Sequence, residues 1–128
     1  MEPFPLPDIE KINSSPIHYF VEYNLFLKED EENTGNKHTV LTSYFEQIID
    51  GIVYELYFEE SLKKHNKDII QYLKDLPSIA NINSPQEKAS ITTKIFNKLN
   101  DPEHQVRKRL YFIDSVPEIR IIKGKEVH

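Results

Sequence analysis

The chain contains no cysteine, which excludes disulfides, thiolate metal sites and a thiol nucleophile. It has no tryptophan and only three glycines, too few for the usual glycine-rich loops that cradle phosphates. No Walker loop, dinucleotide-binding glycine pattern, nucleophile elbow, zincin helix or zinc-finger spacing occurs. The histidines at 18, 38, 65, 104 and 128 are scattered, and no two are three or four residues apart, the spacing that would pair them as metal ligands on one helical face. Long hydrophobic runs are also missing: no apolar stretch approaches the ~20 residues of a membrane span. The N-terminus, MEPFPLPDIEK, has neither the basic nor the apolar region of a signal peptide. These absences lead us to expect a cytoplasmic chain with no membrane contact, no cofactor and no catalysis of its own.

What is present suits a globular domain. Hydrophobic residues make up 38% and charged residues 29% of the 128, with seven Tyr and seven Phe, enough apolar material for one core. The net charge of −5 is unevenly spread. Residues 1–62 carry 13 acidic and 3 basic side chains, whereas residues 63–128 carry 8 acidic and 13 basic ones, so the halves stand at −10 and +5. Such asymmetry suits either an anionic partner on the basic side or two differently charged solvated faces.

The strongest pattern is SYFEQIIDGIVYELYF, Ser43 to Phe58. Two i, i+4 rows, Tyr44, Ile48, Ile52, Leu56 and Phe45, Ile49, Val53, Tyr57, merge into one apolar stripe and predict a central core helix. Ser43 with Glu46 reads as a capping box at its start. Gly51 within it signals the close approach of a neighbouring element. Asp50 and Glu55 are expected to face away from the stripe, and a spacing of five keeps them from forming an acid/base pair.

Pro3, Pro5 and Pro7 predict an extended linker or edge segment over residues 1–14, followed by one helical domain over 15–128. Ser15-Pro16 opens a helix to about Lys28, and His18 within it reads as structural. The acidic stretch 29–38, EDEENTGNKH, reads as a solvated loop; it lacks the spacing of a calcium loop. A further helix after Phe58 breaks near Asn66, resumes and stops at Pro77. Ser84-Pro85 opens another to Asn100, and Asp101-Pro102 a last one to about Asp114 with Val106, Leu110 and Ile113 inside. Residues 115–128 fit a strand or a helical turn equally. The fold class expected is therefore all-α, about five helices around the central one.

The candidate functional residues are cationic: Lys63, Lys64 and Lys67, then Arg107, Lys108, Arg109, Arg120, Lys123 and Lys125. Lysine and arginine neutralise phosphates whatever the base sequence, so these point to DNA. Tyr111 and Phe112 beside the arginines read as core rather than as base-stacking surfaces.

The order PFPLPDI, HYFVEYNLFLK, YFEQIIDGIVYELYFEE, LNDPEHQVRKRLYFIDSVPEIRIIKGK resembles the extreme C-terminal region of bacterial type IIG restriction-modification proteins. These are the Eco57I-like adenine-specific DNA methyltransferases, in which the region follows a TaqI-like specificity domain. Ile49–Phe58 and Leu99–Leu110 carry the likeness most specifically. The Asn-Pro-Pro-Tyr methyltransfer motif, the glycine-rich cofactor segment and the nuclease core of that family are all missing, so no catalytic residue transfers. The resemblance implies an accessory helical piece of a larger enzyme, bracing DNA target recognition, with DNA and the other domains of the methyltransferase as partners. The alternative is a protein-interaction or oligomerisation domain that never touches DNA.

Overall fold

The computed structural model describes residues 9–111, 113 and 116–122 of the chain, without the side chains of Glu118 and Ile122. The described residues form an all-α fold with no strand: α1 (Ile9–Ser14), α2 (Ile17–Thr34), α3 (Thr39–Tyr57), α4 (Glu59–Lys64), α5 (Pro85–Leu99), α6 (Gln105–Tyr111) and α7 (Pro117–Ile122). A single 3₁₀ turn, Ile70–Tyr72, interrupts the long α4–α5 connection. The central helix is α3, as its periodicity predicts. α2 lies against it as a hairpin partner, α5 packs on both, and α6 packs on α3.

The main core joins Phe20, Tyr23 and Leu27 of α2 to Tyr44, Phe45, Ile48 and Ile52 of α3, and Ile95 and Leu99 of α5. Its rings meet edge-on or tilted, Phe20 and Tyr23 each within 5.7 Å of Phe45 and Tyr44 at 5.7 Å from Phe96, the arrangements that aromatic quadrupoles favour. Of the two predicted rows on α3, the first lies inside except for the half-buried Leu56; in the second only Phe45 is buried, and Ile49, Val53 and Tyr57 sit at the margin. A Cβ on Gly51 would come within 2.9 Å of both Ile69 Cδ1 and Leu110 Cδ2, so the glycine marks the close approach expected of it. Two buried phenols tie elements together as donors. Tyr23 donates to the Pro77 carbonyl at 2.5 Å and Tyr44 to the Leu99 carbonyl at 2.6 Å. Burial raises both hydroxyls, Tyr44 to about 12, so they remain neutral donors.

Several boundaries differ from expectation, each for a local reason. Residues 9–14 are helical rather than extended, because the prolines end at Pro7 and leave IEKINS free to coil; residues 1–8 lie outside the described residues. α2 continues six residues past Lys28, through most of the presumed acidic loop. Glu and Asp do not stop a helix, whereas Gly35 does: it adopts φ 77° and returns its N–H to the Glu31 carbonyl at 2.9 Å. Two acids near this helix end are partnered by His38, whose backbone N–H is held by the Glu31 carboxylate and whose Nε2 lies 2.7 Å from Asp30 Oδ2.

α3 begins at Thr39, so Ser43 and Glu46 stand in its first two turns and form no capping box. Glu46 pairs instead with Lys28 of α2 at 3.2 Å. α4 ends where Asn66 takes φ 58° and the Lys67 N–H returns to the Leu62 carbonyl at 2.8 Å, a Schellman closure. The helix expected to resume there does not, because tertiary partners claim its backbone groups. The ends of α5 follow prediction: Ser84 Oγ accepts the Glu87 N–H at 3.3 Å, with Pro85 in the first turn. At Asp101-Pro102-Glu103 the aspartate accepts the Glu103 N–H at 2.8 Å, which makes a turn and delays α6 to Gln105. Asp114, the expected end of that helix, lies outside the described residues. Residues 117–122 settle as helix.

Candidate nucleic-acid interface

A second, smaller cluster builds the cationic end of the domain. Leu62 of α4 packs with Ile113, Val116 and Ile119, and Tyr54, Phe58 and Leu110 close its edge. Stretches more than fifty residues apart in sequence thereby meet around one apolar centre. Each buried anchor orients its neighbours outward: with Leu62 inside, Lys63 and Lys64 are exposed, and with Ile119 inside, Arg120 is exposed. Lys63 pairs with Glu59 one turn back at 3.2 Å, an exposed contact that contributes little. Lys67, just past the Schellman turn, is half-buried.

On α6 the fully buried Val106 sets the register. Arg107 stands 5.9 Å from the centre of the Tyr111 ring, and Lys108 Nζ lies 3.6 Å from Glu103, whose side chain is almost entirely in water. Lys123 and Lys125 fall outside the described residues.

Arg109 is different from the other cations of the group. Its guanidinium donates to Asp68 Oδ1 at 2.7 Å, to the Asp68 carbonyl at 3.0 Å and to the Tyr72 hydroxyl at 3.0 Å, while Nε reaches Gln105 at 3.2 Å. It also stacks 4.6 Å from the centre of the Tyr72 ring. The Arg109 and Asp68 side chains are only 15% and 5% exposed. The planar fork is thus spent on holding α6 to the 68–72 segment; of the other described candidates Lys63, Lys64, Lys108 and Arg120 are exposed, and Arg107 is half-buried.

Glu55 corrects a further expectation. It faces inward at 5% exposure, and its Oε1 accepts the N–H groups of Ile69 at 2.5 Å and Ile70 at 3.0 Å. Burial raises its carboxyl above the ordinary value of 4.5, against the lowering effect of those two N–H donors. Glu55 and Arg109 together pin the segment that helical periodicity predicts to coil. No sequence signal marks either role, since both partners lie far along the chain in a non-periodic stretch.

Tyr111 also departs from its expected place in the core: it is 68% exposed. Phe112 lies outside the described residues. Among the described residues no group of three or more His, Asp or Glu side chains is placed to hold a metal ion, and no helix is long and apolar enough to cross a membrane. An open cleft is lined by Phe26, Asp30 and Asn33 of α2 and by Pro85, Gln86 and Lys88 of α5, none of them a candidate residue. Comparison with protein-family models, with curated proteins and with solved structures gives no match.

Proposed function

We propose that the chain is a non-catalytic helical module of a bacterial type IIG restriction-modification enzyme that supports DNA target recognition in the cytoplasm. The likeness of Ile49–Phe58 and Leu99–Leu110 to that family supports the assignment. The observation that supports the DNA contact is the small core of Leu62, Ile113, Val116 and Ile119, with Leu110 at its edge, which joins α4, α6 and α7, each of them bearing an exposed cation, Lys63 and Lys64, Lys108, and Arg120. Such a surface binds phosphates without reading bases, and its affinity falls steeply with salt. The other domains of the enzyme would then supply sequence recognition and chemistry.

The test is binding of a fluorescent DNA duplex to the chain across a salt series. Wild type should bind at low salt with a clear negative slope of log affinity against log salt. A double change, Arg107→Glu with Lys108→Glu, should flatten that slope by about two counterions. Binding that is absent at low salt, or untouched by the double change, removes the DNA contact.

A second reading, docking onto another protein domain, has an observation of its own. Val21 and Leu25, one turn apart on α2, are exposed, and with Ile49 they line a shallow groove over Asn24. Asn24 donates to the Thr42 carbonyl at 3.2 Å, yet its buried Oδ1 has no partner. Val21→Glu with Leu25→Glu should abolish any concentration-dependent association seen by light scattering.

A further inference from the structure

We propose that Tyr111, steadied by Arg107 and flanked by Lys108, is a stacking site for an unpaired nucleobase, so that this end of the domain prefers single-stranded or splayed nucleic acid over closed duplex. The inference rests on the nucleic-acid reading above and adds to it a ligand class and a contact residue. Other large phenols of the domain are engaged inward: Tyr23 and Tyr44 donate to backbone carbonyls, and Tyr72 is covered by Arg109. Tyr111 instead keeps 68% of its surface in water on a helix whose opposite side holds the buried Val106. A ring left out of the core forgoes the burial that normally recruits tyrosine, and its neighbours say what it faces.

Those neighbours are cationic. Arg107, one turn back, places its guanidinium 5.9 Å from the ring centre, which orients a ring that its exposure makes accessible to a base. Lys108 pairs with the exposed Glu103 carboxylate at 3.6 Å, a contact weak enough to yield to a phosphate. Arg120, on α7 beside the buried Ile119, is a further exposed cation. An exposed ring beside one cation, with Lys108 on the same helix, matches the two chemistries of a nucleotide, a π-surface and an anion. An apolar partner surface would find no complement in those charges.

The chain has no tryptophan, so Tyr111→Trp introduces a single indole whose fluorescence reports stacking directly. The probes are a short labelled oligothymidylate and a DNA duplex of equal length, titrated at low salt against wild type, Tyr111→Ala and Tyr111→Trp, with helicity checked by circular dichroism. We expect wild type to prefer the single strand. Tyr111→Ala should lose about 5- to 30-fold in affinity for it, the lower part of the range for one base–aromatic stack, with an unchanged salt slope. In Tyr111→Trp the affinity should be retained and the indole quenched on binding.

Equal single-strand binding by wild type and Tyr111→Ala, or a bound oligonucleotide that leaves the indole unquenched, overturns the stacking site. If duplex binding and its salt slope survive in that case, the phosphate-contact reading stands alone. Failure of wild type to bind either probe removes both. Self-association that Tyr111→Ala abolishes, in a chain that binds no oligonucleotide, would assign the patch to a protein contact and overturn the proposal in favour of that class.

Discussion

The two apolar clusters of this domain differ in how they treat their polar neighbours. Around the main core, charged and polar groups turn inward and are consumed: Glu55 holds two backbone N–H groups, Thr92 returns its hydroxyl to the helix carbonyls, and the phenols of Tyr23 and Tyr44 close onto carbonyls. Around the smaller core of Leu62, Ile113, Val116 and Ile119, most charged groups turn outward. Arg109 is the exception, and it bridges the two regions by clasping Asp68 and Tyr72 from α6. The difference separates what holds the fold from what the fold presents. Cations of one short run, Arg107 to Arg109, serve both purposes according to which side of α6 they occupy.

The largest expected effect breaks the main core. Ile52 is fully buried at the centre of α3, and Ile52→Ala should cost ~2–5 kcal/mol, read as a lower midpoint in urea with an unchanged slope. Leu56→Ala, half-buried on the same row, should cost clearly less. If the two truncations cost the same, the core is centred elsewhere.

Next comes the bridge between the regions. Arg109→Ala would leave the Asp68 carboxylate buried without its cation, a loss of ~2–4 kcal/mol somewhat below that of a fully enclosed pair, because the guanidinium is partly exposed. Arg109→Lys should recover only part of it, since an ammonium cannot span Asp68 and Tyr72 as the fork does. The contrasting change, Arg107→Ala, should alter stability by under ~0.5 kcal/mol while weakening nucleic-acid binding. Equal thermal shifts for the two arginines would erase the distinction between clasp and surface.

Glu55 gives a smaller effect with a sign that pH can test. Glu55→Ala strands the Ile69 and Ile70 N–H groups and should cost ~1–3 kcal/mol. Because the folded-state pKa lies above the ordinary 4.5, the native state binds the proton more tightly than the unfolded chain. That stabilisation is complete below pH 4.5 and is lost as pH rises through the raised value. Glu55→Gln keeps an acceptor oxygen but cannot ionise, so the stability of wild type relative to this variant should fall as pH is raised from 4 to 7 in parallel denaturations. A constant difference across that range would show that the carboxylate is not buried as described.

Much of the architecture was legible because it follows from local rules: the stripe on α3, the Ser84-Pro85 start of α5, and Gly51, whose missing side chain marks where Ile69 and Leu110 come close. What was not legible depends on partners distant along the chain. Nothing near Asp68 announces that Arg109 will claim it, and nothing near Ile69 announces the Glu55 carboxylate, so a stretch with helical periodicity becomes a single 3₁₀ turn. Ser43 and Glu46 show the converse failure. Their spacing is that of a capping box, yet the helix already exists at Thr39 and Glu46 reaches Lys28 of α2 instead. The cationic residues were recognisable by type, but only packing around Leu62 and Val106 decides which of them face solvent.

The smallest effect concerns the start of α6, which positions Arg107, Lys108 and Tyr111. The Val106 N–H donates to Nδ1 of His104 at 3.1 Å, so the imidazole caps the first turn only while that nitrogen is unprotonated. Burial, and after it the nearby charge of Lys98, lowers the His104 pKa below the ordinary 6.5, against a raising contribution from Asp101. A depressed pKa means that the unfolded chain takes up the proton more readily than the native one. The contribution is therefore complete above pH 6.5 and is lost as pH falls through the depressed value. Its size should stay within ~1 kcal/mol, the net worth of one hydrogen bond. His104→Asn offers an acceptor that does not titrate, so its melting temperature should equal that of wild type near pH 7.5 and exceed it near pH 5. Since the cap lies on α6 and not on the central α3, protection from hydrogen exchange at pH 5, compared with His104→Asn, should fall first at the amides of α6, with those of α3 unchanged. Faster exchange in α3 at the same pH would tie the cap to the whole fold and dissolve the division between the two regions.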